Sequence, residues 1–232
     1  GVWDPILPAL ADYRVIRYDT RGHNDSSTPP GPYRLGDLGD DVLALLDELG
    51  IARAHFVGIS MSGMVGQNLA LRAPERLLSL SLVTTTPDYS DRGRAAWQAW
   101  KEAAERGDKS RLIDPLLERW FTPEARAGRW TCVEQLVEGF ERLSDEAFIH
   151  IASAIIRDVR YIDRLPNIDV PTLVVASPDD PGVPQAMSVA LYERIPKSEL
   201  YWLSPSRHLA TLEHPERFAA ILRRFLRGHD PR

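Results

Sequence analysis

Apolar positions along the 232-residue chain fall into two rhythms. Leu35, Leu38, Val42, Leu45, Leu46 and Leu49 recur at helical spacing, and Gly50 stops the run. Met61 to Ala73, closed by Pro74, and Pro184 to Arg194 also read as helices. So does Pro215 to Arg227, which carries Phe218, Ile221, Leu222, Phe225 and Leu226. Between these lie short apolar runs suited to buried parallel strands: Arg14 to Tyr18, Ala54 to Gly58, Leu77 to Thr85, Pro171 to Ala176 and Glu199 to Leu203. The loop from Asp19 to Pro32 is rich in Gly, Pro and Ser. Residues 91–165 break the alternation and show helical patterns alone. One is Val133, Leu136, Val137 and Phe140; another is Phe148, Ile151, Ala152, Ile155, Ile156 and Val159.

Strand–helix alternation predicts an α/β fold with a mostly parallel sheet. The helical block falls between two strands, so it reads as an inserted cap over the sheet edge where ligands bind. The expected division is a core of 1–90, a helical cap of 91–165 and a second core part of 166–232.

Charge and composition narrow the chemistry. The net charge of -5 argues against a nucleic-acid partner, whose footprint is a basic patch. No apolar run approaches the ~18 residues that would cross a bilayer, and GVWDPILPAL does not read as a signal peptide. Cys132 is the single cysteine. It excludes an internal disulfide, fits a reducing compartment such as the cytoplasm, and reads as a small packed residue. No HxxxH or CxxC spacing suggests a metal site.

The candidate chemistry begins at Gly58-Ile59-Ser60-Met61-Ser62-Gly63. Ser60 falls between a buried strand and a helix, the context of a nucleophile elbow. Such a turn needs small residues two positions either side, and Gly58 and Ser62 supply them. The helix that follows points its first N–H groups at the site, where they can stabilise an oxyanion. A nucleophilic serine needs a base, and the base needs an orienting acid. Asp179 and Asp180 follow the strand ending at Ala176, and His208 follows the strand ending at Leu203. The order Ser, Asp, His is that of the α/β-hydrolases. Asp88, after the preceding strand, is a rival acid. His55 reads as a satisfied core residue, His23 as a loop-ordering group, His214 as a helix-start residue and His229 as part of a tail.

These residues carry a resemblance to the α/β-hydrolase superfamily, and within it to the 3-oxoadipate enol-lactonases. It rests on RVIRYDTRGHNDS, PGPYRLGDLGDDVLALLDELGI, AHFVGISMSGMVGQ, LLERWFTPEAR, PTLVVASPDDPGVP and RHLATLEHPERF. The resemblance implies Ser60 as nucleophile, Asp180 as acid, His208 as base and the Met61 N–H as an oxyanion donor. It places Arg119 and Trp120, in ERWFT, at the substrate pocket, with Arg119 facing an anionic group. No cofactor or metal is implied, and the expected partner is a small-molecule substrate. Ser62, Asn24 and Ser177 stand where the family usually has glycine. Alternatives are an esterase, a C–C bond hydrolase, a cofactor-free haloperoxidase or a non-catalytic binder.

The resemblance also implies strands ahead of Gly1, one of which lies between the segments 14–18 and 54–58. With no His-Gly oxyanion motif before Ser60, the chain reads as an N-terminally incomplete version of a longer enzyme. Two apolar strands would then face a gap. The alternative is that they pair directly in a weak or inactive hydrolase.

Overall fold

The computed structural model describes residues 1–128 and 131–231, and the backbone alone of 131. Four strands, β1 (Ala54–Ile59), β2 (Leu77–Val83), β3 (Thr172–Ala176) and β4 (Ser198–Trp202), form one sheet in the order β1-β2-β3-β4. All three pairings are parallel, with Ile59 beside Val83, Leu82 beside Val174, and Val175 beside Tyr201. Helices α1 (Leu35–Glu48) and α2 (Met61–Arg72) precede β2. Helices α3 (Asp91–Glu105), α4 (Ile113–Trp120), α5 (Pro123–Ala127), α6 (Thr131–Arg142) and α7 (Asp145–Asp158) fill the stretch between β2 and β3. Helix α8 (Gln185–Arg194) joins β3 to β4, and α9 (Ala210–Glu213) and α10 (Pro215–Arg227) end the chain.

Parallel strands need cover on both faces, and the two apolar clusters provide it. Leu80, Leu82 and Val174 point to one face with Leu38 and Val42 of α1, Leu69 of α2 and Leu191 of α8. Val83, Leu173 and Val175 point to the other, against Phe218, Leu222 and Phe225 of α10 and the 3-10 turn Asp4–Leu10. Period-2 alternation along each strand therefore feeds two separate cores.

Residues 14–18, expected as a strand, form no strand and pair with none. A strand exists only where a second backbone completes its ladder. Here β1 pairs with β2 alone, so neither a sheet edge at 14–18 nor direct pairing of 14–18 with 54–58 is realised. The two segments instead line an apolar cavity of about 420 Å³ with Leu10, Leu46 and Leu222. Val15 and Tyr18 remain 42% and 38% exposed beside it.

Candidate active site

The three groups picked out in the sequence converge at the carboxyl ends of β1, β3 and β4. That is where open parallel sheets place their ligands. Ser60 leaves β1 at φ 53, ψ -117 and opens α2. A non-glycine residue at positive φ is strained, and such strain persists only where the surroundings fix it. Two tight contacts do so here. A Cβ on Gly58 would lie 2.4 Å from the Ser62 carbonyl oxygen, and one on Gly63 would lie 2.6 Å from Thr85 Cγ2. Strand and helix therefore approach through glycine at both points. The Ser60 backbone is clamped further, its N–H donating to the Val83 carbonyl at 2.9 Å and its carbonyl accepting from the Thr85 hydroxyl at 2.6 Å.

His208 Nε2 lies 2.8 Å from Ser60 Oγ, and His208 Nδ1 lies 2.6 Å from Asp180 Oδ2. Asp180 Oδ1 accepts from the Gly182 N–H at 2.7 Å and the Val183 N–H at 3.3 Å. Asp180 and His208 are buried at 5% and 3% exposure, so this chain of hydrogen bonds works away from bulk water. Burial pushes the Asp180 carboxyl up. The charge and hydrogen bond of His208, the Gly182 N–H and the Arg119 charge outweigh that and hold it below the usual carboxylate range. Asp180 is therefore ionised, and it accepts the Nδ1 proton, which leaves Nε2 free to accept from the Ser60 hydroxyl.

The His208 loop is braced from several elements. The Thr84 hydroxyl donates to the His208 carbonyl at 2.7 Å, and the Ser177 hydroxyl donates to the Ser206 carbonyl. Glu213 spans the loop and the helical segment: one carboxylate oxygen accepts from the Arg207 N–H at 2.7 Å. The other accepts from the Thr122 N–H at 3.0 Å and the Thr122 hydroxyl at 2.6 Å. Neither Thr84 nor Glu213 was singled out in the sequence. Ser177 was noted only as a departure from glycine, and its hydroxyl has a bonding role that glycine lacks.

Met61 follows Ser60 at the first position of α2, where a helix leaves its N–H groups without intrahelical partners. Trp120 ends α4, packs half-buried between two apolar clusters and accepts from the Leu209 N–H at 3.0 Å, next to His208. Arg119 sits beside the acid turn. Its guanidinium lies on the 180–182 turn, since a Cβ at Gly182 would fall 2.0 Å from Arg119 Nε, and it stacks 5.4 Å from the Trp100 ring centroid. Asp88, the rival acid, is paired with Arg94 and makes no bond to His208. His55 is satisfied by Ser79 at 2.7 Å and Asp230 at 3.1 Å but is half-buried rather than in the core, and His214 stands at the start of α10 without a side-chain capping bond. Among the described residues no cluster of His, Cys, Asp or Glu could hold a metal.

A family model described as the alpha/beta hydrolase fold matches residues 1–112. The 3-oxoadipate enol-lactonase 2 of Acinetobacter baylyi is 38% identical over 231 residues, spanning 97% of this chain and 85% of that protein. The chain belongs to the α/β-hydrolase family. This α/β-hydrolase also superposes on the crystal structure of the enol-lactonase from Burkholderia xenovorans with a TM-score of 0.91 and 31% identity. That match covers 97% of this chain and 85% of the other. A putative carbamate hydrolase of Rhizobium rhizogenes is 30% identical over 233 residues, covering 97% of this chain and 87% of that protein.

Proposed function

We propose that this α/β-hydrolase cleaves a lactone or carboxylic ester through a Ser60 acyl-enzyme, and that its substrate is an enol-lactone of the 3-oxoadipate type. The observation that carries the reading is the unbroken hydrogen-bond chain Ser60–His208–Asp180, at 2.8 and 2.6 Å. His208 Nε2 takes the Ser60 proton as Oγ attacks the carbonyl carbon. Negative charge develops on the carbonyl oxygen, and the Met61 N–H is its donor. The acyl C–O bond then breaks, and His208 returns the proton to the departing enol oxygen. The opened enol tautomerises to a ketone, which draws the ring-opening forward. Water, deprotonated by the same His208, attacks the acyl-enzyme and releases the acid. Each step uses side chains and backbone of this chain, with no metal or cofactor.

In this reading residues 91–165 act as a cap over the site. Trp120 forms a wall beside the His208 loop. Arg119 faces an anion behind the acid turn rather than the reacting acyl group. No described helix is long and apolar enough to cross a membrane, and a cytoplasmic location with a small-molecule substrate belongs to the same reading.

The test is a hydrolysis screen of enol-lactones, simple lactones, short esters and carbamates, with Ser60→Ala as control and a phosphonate probe for Ser60. Turnover of enol-lactones above the other classes, lost in Ser60→Ala, supports the reading. Preference for carbamates or for simple esters rejects the substrate class while keeping the mechanism. Failure of the probe to label Ser60 rejects the mechanism.

A further inference from the structure

Behind the 180–182 turn lies a second cavity, of about 680 Å³, walled by α3, α4 and the segment 181–187. Its size suits a small molecule. Neither Ser60 nor His208 lines it. One part of its wall is flat and aromatic, with Trp97 and Trp100 packed edge to face at 5.1 Å and Tyr89 beside Trp97 at 6.4 Å. Its charge is cationic. Arg92, Arg119 and Arg207 line it, and none of them forms an ion pair among the described residues. The acidic groups there are engaged elsewhere, Asp88 with Arg94 and Glu118 with Arg126 at 3.6 Å.

Two donors on these walls are left over. Arg119 Nε and Trp97 Nε1 are buried and have no hydrogen-bond partner. Both approach the Tyr89 hydroxyl in a geometry too poor to close a bond. Burial raises the Tyr89 phenol, so it stays neutral and offers no anion to either. Buried donors without partners are costly and rare, and a cation among them favours a charged acceptor.

We propose that this cavity is a second, non-productive site for a free small carboxylate with a flat apolar body, its carboxylate held by Arg119 Nε and Trp97 Nε1. The rings of Trp97 and Trp100 face the apolar body, and Arg92 and Arg207 add attraction at the rim. A ligand bound there is bordered by neither Ser60 nor His208. It still acts on the reaction, because Arg119 rests on Gly182 and the Gly182 N–H holds Asp180. An aromatic acid of similar size has this chemistry, whereas the open-chain keto acid released by the proposed hydrolysis shares only the carboxylate.

Benzoate is the probe, with benzyl alcohol as the neutral match. Binding is read by tryptophan fluorescence and calorimetry on the wild type, on Ser60→Ala and on phosphonate-labelled enzyme. Saturable benzoate binding is expected at around 1 mM, the range for a ligand of this size, alike in all three proteins. Benzyl alcohol should bind at least about tenfold more weakly. Arg119→Gln should weaken benzoate by about tenfold or more, and Trp97→Phe, which keeps the ring and removes the donor, by about three- to tenfold. Against a neutral ester, benzoate should lower kcat and not only raise KM.

Loss of binding on Ser60 labelling, or purely competitive inhibition, would place the carboxylate in the acyl site and overturn the proposal. Equal binding of the alcohol, or unchanged binding in both variants, would also overturn it. Should Arg119→Gln not fold, Trp97→Phe decides. Because binding is read on Ser60→Ala, the site stands or falls separately from the proposed hydrolysis.

Discussion

Replacing Gly58 by alanine tests how the nucleophile is held. The added methyl would lie 2.4 Å from the Ser62 carbonyl oxygen, 2.5 Å from the Ser62 carbonyl carbon and 2.7 Å from the Gly63 nitrogen. Ordinary contacts between such atoms are about 3.5 Å, so β1 and the start of α2 must part by about 1 Å. All three obstacles are backbone, and none can rotate away. The overpacking should cost about 1–3 kcal/mol, a fall in Tm of roughly 2–12 °C for a chain of this size. The same displacement moves Ser60 Oγ off its 2.8 Å contact with His208. A misplacement of about 1 Å costs roughly a hundredfold in turnover. Gly66 is the internal control, because a methyl there meets only the side chains of Leu80 at 2.8 Å and Phe56 at 3.0 Å, which can shift. The assay is kcat for an ester the wild type cleaves, with Tm measured alongside. If Gly58→Ala keeps kcat within twofold of wild type, or Gly66→Ala is as damaging, close backbone approach is not what positions Ser60.

Asp180→Asn should lower kcat by about four orders of magnitude, by removing the acceptor that fixes the Nδ1 proton, and Asp88→Asn should leave kcat within about tenfold; steady-state kinetics that reverse this order would reassign the acid. The lowered Asp180 pKa makes its contribution to stability complete above the unfolded-state value near 3.9. That contribution is lost as pH falls through the lower folded value. Melting curves from pH 5 to pH 2.5 should therefore fall less steeply for Asp180→Asn than for the wild type, and parallel slopes would refute it. Glu213→Gln should lower kcat more than it raises KM for a small ester, since Glu213 anchors Arg207 and Thr122 rather than substrate; a change confined to KM would place it at the substrate.

The periodic segments could be read from the sequence because their periodicity is set by burial. Helix α10 runs from Pro215 to Arg227, as its apolar spacing indicates, and Phe218, Leu222 and Phe225 all reach the core. Ser60, Asp180 and His208 were legible for a related reason. Each lies in the connection after a strand that the apolar pattern marks, and parallel strands bring their carboxyl ends together. The segment 14–18 misled because apolar composition reports burial and says nothing of a ladder partner. The bracing by Thr84, Ser177 and Glu213 could not be read from the sequence. Their roles depend on loops that meet only in three dimensions, such as the contact of Glu213 with Thr122 across the fold. Arg119 was legible as a residue of interest, but its direction, over Gly182, depends on how α4 lies against the 180–182 turn.

The open flank of β1 sets where the molecule should fail first. Ser60 stands at the end of an edge strand, β1, which has β2 on one side and an apolar hollow on the other. β3, in contrast, has neighbours on both sides and is buried throughout. Local opening takes the path of least lost contact. Amide exchange should accordingly run faster along 54–59 than along 172–176. On warming, loss of turnover should precede loss of helical signal, because the nucleophile is carried by an edge strand.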